Sequence, residues 1–199
     1  MAASRREQIL STAAALFAQH GFHGVSVADL GAACGISGPA LYRHFPRKDA
    51  MLAEMLVGIS ERLLAEGRLR STGTASAQEA LTALVRWHIE FALQHPDLIV
   101  VQDRDWAALP AQARERVRTL QRGYVEIWVD VLVTLRPDWD RRTARAAAHA
   151  TFGLLNSTPH SARLSQAAMA GLLEELALSA LSAGRPSAEP PLAEASPTG

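Results

Sequence analysis

The stretch of sequence that decides the fold is GVSVADLGAACGISGPALYRHFPRKDAML, residues 24–52. It predicts two short helices, at about 27–34 and 37–45, joined by a tight turn over 35–37. Each helix begins after a serine, whose hydroxyl can accept a hydrogen bond from a free amide of the first turn. The first helix ends at a glycine, and Pro46 ends the second because proline cannot continue a helix. Together the two helices form a compact corner.

A third helix precedes this corner at about residues 4–20. Its apolar side chains recur at spacings of three and four residues, the pattern of an amphipathic helix, and Gly21 ends it. Inside the corner, the small side chains of Ala32 and Ala33 permit a close crossing of the two short helices. Three larger side chains are spaced to form the shared core: Leu30, Ile36 and Leu41.

The periodicity alone leaves two interpretations open, a generic helical corner or a DNA-binding helix-turn-helix. Residues 24–52 favour the second, because they resemble nearly position for position the DNA-binding domain of the TetR family of bacterial transcriptional regulators. The resemblance is strong over roughly the first 55 residues, and beyond them the chain matches the family in length and helical layout. It implies a homodimer on a palindromic operator, with two recognition helices about 34–36 Å apart.

The resemblance also implies which side chains touch the DNA. The second short helix would enter the major groove, which admits one α-helix. Its long base-reading side chain is Arg43, whose contact with guanine O6 and N7 discriminates by about 1–3 kcal/mol. Tyr42, His44 and Lys48 are expected to hold phosphates, as is the helix start at Ser26. The remaining expected contacts come from the first turn of that helix: Ser37, Gly38, Pro39 and Ala40.

Two features leave the mode of DNA readout open. Family members often carry polar groups where this chain has Gly38 and Ala40, so thymine methyl contacts and DNA shape are expected to carry more of the specificity. Before the first helix, Arg5 and Arg6 either reach the phosphates or the minor groove, or lie in a solvated, frayed end.

From Arg47 onward the periodicity predicts six longer helices and no strand. Their approximate ranges are 47–70, 77–94, 97–106, 111–135, 140–155 and 165–183. The predicted fold class is therefore all-α, with a three-helix helix-turn-helix domain over 1–46 and a six-helix domain over 47–183. Residues 184–199 carry four prolines and few large apolar side chains, so we expect a disordered tail.

Composition restricts the class of protein. The chain has 199 residues with 20 basic and 20 acidic side chains, so it is not a polycationic nucleic-acid binder, although a local DNA-binding surface is compatible. The single cysteine, Cys34, suits a reducing compartment. Neither a membrane-spanning run nor a signal peptide is recognisable, so we expect a cytoplasmic location. Motifs of hydrolases, metalloproteases and nucleotide-binding enzymes are missing, so we expect no catalysis, metal or cofactor.

In the TetR family the larger domain binds a small effector and forms the dimer, and this chain has residues suited to both. An apolar pocket with a few fixed polar groups is typical of ligand sites, although most aromatic side chains at helical spacing are ordinary core. Gly123, in the middle of a predicted helix, marks either a close helix approach or the passage of a ligand. The candidate pocket residues are Trp87, His88, Phe91, Gln102, Asp103, Trp106, Tyr124, Trp128, Phe152 and Asn156.

The sequence leaves the effector open between two classes. Residues 95–106 and 111–135 are weakly similar to family members that sense acyl-CoA thioesters. Four arginines would then face the coenzyme A phosphates: Arg114, Arg116, Arg118 and Arg122. The same arginines suit a solvated helix face, with some other apolar or aromatic effector.

The last two predicted helices are rich in alanine and glycine, which lets helices pack closely across a two-fold axis. We therefore expect them to form the homodimer. The predicted function is a repressor that releases its operator when the effector binds. The alternative is a helical small-molecule sensor without productive DNA binding.

Overall fold

The computed structural model describes residues 4–161 and 163–182, and within them it shows helices and no strand. The helices are α1 Arg5–His20, α2 Val27–Cys34, α3 Gly38–His44, α4 Lys48–Thr72, α5 Ala77–Gln94, α6 Pro96–Asp105, α7 Ala111–Leu135, α8 Arg141–Leu155, α9 Thr158–Ser161 and α10 Gln166–Ser182, with a 3-10 turn at Trp106–Ala108. The all-α prediction is confirmed. The predicted helices are present with ends shifted by one or two residues, whereas the single-turn α9 was not predicted. The predicted tail at 184–199 lies outside the described residues.

Local hydrogen bonds produce the predicted helix starts in the corner. The Ser26 hydroxyl accepts from the Asp29 amide at 3.1 Å, and the Asp29 carboxylate accepts from the Ser26 amide at 2.8 Å. These two bonds complete a capping box at the start of α2. Gly35 ends α2 with φ 63° and ψ 35°, the left-handed conformation that glycine adopts without strain. Ser37 caps α3 by accepting from the Ala40 amide at 3.4 Å.

The close crossing in the corner is made by Gly31 and not by the two alanines. Ala32 and Ala33 are exposed, so the prediction that they permit the crossing is wrong. A Cβ atom on Gly31 would lie 2.8 Å from the carbonyl oxygen of Ile36, closer than such atoms can approach. Each residue of an α-helix is rotated by 100° from the one before it, so Gly31 faces the turn while Ala32 and Ala33 face solvent. The predicted core residues Leu30 and Leu41 are buried and Ile36 is partly buried.

The described residues form two large hydrophobic cores, which α4 connects, and a small third cluster of Phe91, Ala92 and Ile99. The first core joins α1–α3 to the N-terminal half of α4, and side chains from α6 and α7 complete it. The second core lies among α5, α7, α8 and α10, around the fully buried Trp128. The partly buried Leu63 and Leu64, in the second half of α4, pack against this second core. One helix therefore spans both cores.

Glycines allow α4 and α7 to approach each other closely. A Cβ atom on Gly67 would lie 2.6 Å from a ring carbon of Tyr124, and one on Gly123 would lie 3.3 Å from the side chain of Leu64. Of the two interpretations of Gly123, the close helix approach is the one that the structure supports. The bare backbone at Gly67 leaves the space that the Tyr124 ring occupies.

Replacing Gly67 by alanine is expected to destabilise the protein. The new methyl group would push the buried Tyr124 ring, and overpacking of this kind costs about 1–3 kcal/mol. Gly58→Ala in the same helix is the matched control, because nothing lies within 4 Å of its Cβ position. This control should gain about 0.5–1 kcal/mol, since alanine is the better helix former. Urea unfolding of both variants measures the difference, and equal effects would contradict this account of the contact.

Candidate DNA interface and ligand cavity

Helix α3 presents an open face to solvent. Leu41 and Phe45 are buried in the first core, while Arg43 is exposed and Tyr42 is 52% exposed. Nothing lies within 4 Å of a Cβ position on Gly38, so the first turn of α3 is unobstructed. The other predicted contacts of this helix are exposed or half-buried: Ser37, Pro39, Ala40 and His44. The helix can therefore enter a groove without rearrangement of its core-facing side.

Two of the predicted phosphate ligands have structural partners in the protein. The Lys48 ammonium donates to the carbonyl oxygens of Phe22 at 2.6 Å and Val25 at 2.7 Å, and it lies 4.3 Å from the centre of the Phe22 ring. It thereby fastens the loop between α1 and α2 to the start of α4. The Ser26 hydroxyl donates to the Asp29 carboxylate at 2.6 Å in addition to its capping bond. Lys48 keeps one N–H of three for another partner.

The two arginines that begin α1, Arg5 and Arg6, are exposed and bond along the protein surface to neighbouring helices. Arg5 donates to the carbonyl oxygen of Cys34 at 2.5 Å. Arg6 pairs with Glu54, at 2.6 Å between Nε and Oε1, and lies 4.0 Å from the centre of the Phe45 ring. These bonds do not match the frayed end, whereas the DNA contact expected for these residues stays a prediction. The arginines tie α1 to α2, α3 and α4.

A cavity of about 210 Å³ is enclosed by the five helices from α4 to α8. Seven lining residues are apolar: Ile59, Leu63, Phe91, Leu98, Ile99, Val125 and Phe152. Seven are polar: His88, Gln102, Asp103, Gln121, Tyr124, His149 and Asn156. The cavity thus combines an apolar volume with several polar groups, the composition expected of a ligand site.

Seven of the ten predicted pocket residues line this cavity, and the three tryptophans do not. Trp128 is fully buried behind the wall, with its ring centre 4.9 Å from the Phe152 ring centre and the two ring planes 76° apart. Trp87 lies on another side of α5, where Arg70 stacks on its ring at 4.4 Å. Trp106 packs against the first core. The spacing placed these residues on the correct helices, but it did not show which neighbour each would face.

Seven lining residues were not predicted. Five of them are aliphatic and cannot be told from core in the sequence: Ile59, Leu63, Leu98, Ile99 and Val125. Gln121 carried a signal, because it is a polar residue one turn before Tyr124 on the same helix. Its side-chain amide donates to the Gln102 carbonyl at 3.0 Å and closes one wall. His149 is the remaining residue, exposed on α8 with its ring edge toward Phe152.

A chain of hydrogen bonds crosses the opposite wall. Nε2 of His88 lies 3.0 Å from Oδ1 of Asn156, and Nδ1 of His88 lies 3.3 Å from the Tyr124 hydroxyl. Because Oδ1 can only accept, Nε2 carries the proton and Nδ1 accepts from Tyr124. Burial lowers the pKa of His88 to about 4 and raises the pKa of the Tyr124 phenol. This wall is therefore uncharged at neutral pH.

The arginines of α7 mostly have acidic partners. Arg116 pairs with Glu61 at 2.8 Å, and Arg122 pairs with Glu115 at 3.2 Å. Arg118 lies 3.8 Å from Glu115 and also over the Trp106 ring. These three of the four arginines therefore lie on a solvated helix face, as the second interpretation of the sequence predicts. None of the four lines the cavity.

Helix α6 joins the cavity to the helix-turn-helix. Its residue Asp103 lines the cavity, and the next residue, Arg104, reaches the C-terminal end of α1. The Arg104 guanidinium donates to the carbonyl oxygens of Phe17 and Ala18, the latter at 3.0 Å, while Asp105 holds it from the other side at 3.2 Å. A cation at the free carbonyl groups of a helix end stabilises that end. Movement of α6 would therefore act directly on α1.

Comparison with known families decides the identity of this architecture. Residues 9–55 match the bacterial regulatory proteins of the tetR family, and residues 74–160 match the tetracyclin repressor-like C-terminal domain. The HTH-type transcriptional repressor KstR2 of Mycobacterium tuberculosis is 32% identical over 144 residues, which cover 69% of this chain and 72% of that protein. The chain belongs to the TetR family. It is a DNA-binding transcriptional regulator of the repressor type.

Solved structures of TetR-family proteins share the whole helical layout. A TetR-family regulator from Bordetella parapertussis superposes with a TM-score of 0.78 at 30% identity, over 87% of this chain and 93% of that one. The ketosteroid transcriptional regulator KstR2 of M. tuberculosis gives 0.76 at 25% identity, over 89% and 95%. FadR of Bacillus subtilis, solved with stearoyl-CoA, shares the fold with a TM-score of 0.67 at 18% identity, over 87% and 98%.

The described part of this TetR-family chain was also compared with the requirements of a metal site and of a membrane-spanning helix. Within residues 4–161 and 163–182, no three histidine, cysteine, aspartate or glutamate side chains are grouped so as to hold a metal ion. No helix in those ranges combines the length and apolar character needed to cross a membrane.

The buried His88 is expected to make stability fall at mildly acidic pH. Its pKa is about 4 in the folded protein against 6.5 for the ordinary side chain. Between these values only the unfolded chain binds the proton, so stability is lost as the pH falls through this window. Urea unfolding should show about 2 kcal/mol less stability at pH 5 than at pH 7 from this group. His88→Gln should lose that part of the dependence, and an unchanged slope in the variant would refute the assignment. His95, whose pKa burial also lowers, contributes equally to both proteins.

Proposed function

We propose that this regulator is a homodimeric repressor that binds a palindromic operator. It releases the operator when a small, mostly apolar effector fills the cavity enclosed by the helices from α4 to α8. The observation that carries the proposal is the continuity of α6, which lines the cavity through Asp103 and caps α1 through Arg104. An effector that prefers the cavity geometry of the non-binding conformation shifts the population toward that conformation.

The proposed DNA contacts follow the exposed face of α3. Arg43 reads a base edge, with Ser37, Gly38, Pro39 and Ala40 close to the groove floor. Tyr42, His44, Lys48 and the start of α2 at Ser26 lie against phosphates. The structural bonds of Lys48 support this role, because an ammonium fixed on the Phe22 and Val25 carbonyl groups keeps a defined position. We divide the chain accordingly into a DNA-binding domain over 1–46 and an effector and dimer domain over 47–183.

The cavity supports an effector that inserts only a small group. Its volume of about 210 Å³ lies below the roughly 300–1,000 Å³ of sites that enclose drug-sized ligands. A whole acyl-CoA does not fit, although a short acyl group does, with the coenzyme outside. Three arginines that would meet the coenzyme phosphates are held by Glu61 and Glu115. These pairs favour a small apolar or aromatic effector over the acyl-CoA that B. subtilis FadR holds.

The proposed dimer forms through α8 and α10. On α10, Leu172 and Leu176 are 40% and 45% exposed and lie one turn apart. On α8, Ala146, Ala150 and Gly153 are exposed and leave a shallow surface for a second helix. Exposed leucines beside small residues suit close helix packing across a two-fold axis. Such a dimer acts by binding alone, without catalysis, and we place it in the cytoplasm, where a bacterial operator lies.

Arg43→Ala is expected to reduce operator discrimination by about 1–3 kcal/mol at one base pair of each half-site. Arg47→Ala is the matched control, because it also removes one exposed positive charge, directly before α4, but no predicted base contact. The control should weaken binding to all sequences equally and reduce the salt slope by about one. Fluorescence anisotropy on an operator selected from genomic fragments, with single-base variants, measures both effects. Equal loss on all sequences for Arg43→Ala would contradict its role, and failure to select any operator would favour the sensor without DNA binding.

Arg104→Ala is expected to loosen α1 and to weaken operator binding without effector. Loss of a charge-assisted cap on a partly exposed residue costs about 1 kcal/mol, or about fivefold in local opening. Hydrogen exchange of the amides in the last turn of α1 should accelerate by that factor. Arg86→Ala, which breaks an exposed pair with Glu174 far from α1, should leave both the exchange and the operator affinity unchanged. Unaltered exchange in Arg104→Ala would remove α6 from the proposed route.

A further inference from the structure

We propose that the cavity selects ligands that carry an uncharged hydrogen-bond acceptor, such as a ketone, ester or thioester carbonyl, and that Asn156 recognises it. This inference rests on the proposed function of the cavity as the effector site, and it specifies the chemical class of the effector. The features that support it are the orientation of the Asn156 amide, the hydrogen bonds that fix that orientation, and the charges around the cavity.

The Asn156 amide group turns its donor end away from His88. Its Oδ1 accepts from Nε2 of His88 at 3.0 Å, so the NH₂ group is the part left for another partner. Asn156 lines the cavity and is half-buried. Within the described residues, its NH₂ group makes no hydrogen bond. Two N–H donors are therefore available at the cavity wall, and a carbonyl oxygen is a suitable acceptor for them.

The surrounding bonds hold this orientation. With the His88 proton on Nε2, Nδ1 accepts from the Tyr124 hydroxyl, so both ring nitrogens have partners in this arrangement. Flipping the Asn156 amide alone would bring its NH₂ group against that proton, and the bond to His88 would be lost. The Asn156 backbone is also fixed, because its amide donates to the Phe152 carbonyl at 2.8 Å at the end of α8. The donor is therefore positioned before any ligand arrives.

The charges around the cavity disfavour ionic ligands at this position. Among the described residues, no lysine or arginine lines the cavity, so a carboxylate would enter without a counterion from them. The formally charged lining residue is Asp103, which is exposed. An ammonium group would meet the donor end of Asn156, which cannot accept from it. An uncharged acceptor avoids both costs.

The test compares four phenyl compounds with the same number of non-hydrogen atoms: cumene, acetophenone, 1-phenylethylammonium and benzoate. They suit the volume of about 210 Å³, since a cavity of about 150 Å³ holds benzene. Dissociation constants for the full-length protein are measured at pH 7.5 by titration in NMR. We expect acetophenone to bind about fivefold more tightly than cumene, in line with one net hydrogen bond. Both ionic compounds should bind more weakly than cumene.

Asn156→Asp tests the residue itself. The carboxylate still accepts from His88, but it replaces the donor with an acceptor. We expect the preference for acetophenone over cumene to vanish and the ammonium compound to become the tightest ligand. Ser157→Ala is the matched control, because Ser157 bonds to Ser161 outside the cavity and should leave all four affinities unchanged. If Asn156→Asp does not fold, Asn156→Leu serves instead, with the acetophenone preference lost and cumene binding kept.

The outcomes separate this inference from the proposed function. Cumene or an ionic compound as the tightest ligand of the unmodified protein would overturn the carbonyl selectivity while leaving the cavity a ligand site. An acetophenone preference that survives the Asn156 variants would show that another group recognises the carbonyl, and would likewise overturn the inference. If none of the four compounds binds, the cavity is not a site for ligands of this size, and the effector part of the proposed function fails together with the inference, while operator binding by α3 is unaffected.

Discussion

The helix α4 has to satisfy two hydrophobic cores at once, and the rest of the structure depends on that constraint. Its first half contributes Leu52 and Leu56, both fully buried, to the core of the helix-turn-helix. Its second half approaches α7 so closely that Gly67 leaves room only for the Tyr124 ring. A helix held at both ends moves as a rigid body, because packed interiors resist gradual deformation. In the proposed mechanism, a change around the cavity is therefore transmitted along α4 to the DNA-binding end.

The cavity lies beside this contact, and the most deeply buried polar group of its wall, the His88 ring, has hydrogen-bond partners at both nitrogens. His88 is buried and uncharged, and both of its ring nitrogens have partners in Tyr124 and Asn156. A positive charge on the buried His88 ring would cost more than the packing could return. The aromatic faces of Phe152 and Tyr124 stack against the imidazole at centroid distances of 4.9 Å and 5.8 Å. These contacts hold the wall rigid while leaving the cavity open, which suits a ligand site that must keep its shape when empty.

The sequence predicted what short-range chemistry determines. The starts of α2 and α3 were predictable, because a serine cap acts within three residues of Ser26 and Ser37. The close crossing at Gly31 was missed, since only the helix rotation shows which small residue meets the turn. The same ambiguity applies to Trp128 and Phe152, because helical spacing does not show that Trp128 lies behind the cavity wall while Phe152 lines the cavity. Helical spacing assigns a side chain to a stripe about 100° wide, and the neighbouring helices decide what the stripe faces.

The neutral charge of the chain shapes how such a repressor can work. Arg5 and Arg6 are used inside the helix-turn-helix, and Arg116 is paired on α7, so few cations remain for the DNA of one half-site. Since phosphate contacts supply most of the non-specific affinity, one protomer alone binds weakly. Two protomers on a rigid frame bind far more tightly, because the second contact is intramolecular. In the mechanism that we propose, the spacing of the two α3 helices decides the affinity, and a small shift of α6 at Arg104 that misaligns one half-site is sufficient for release.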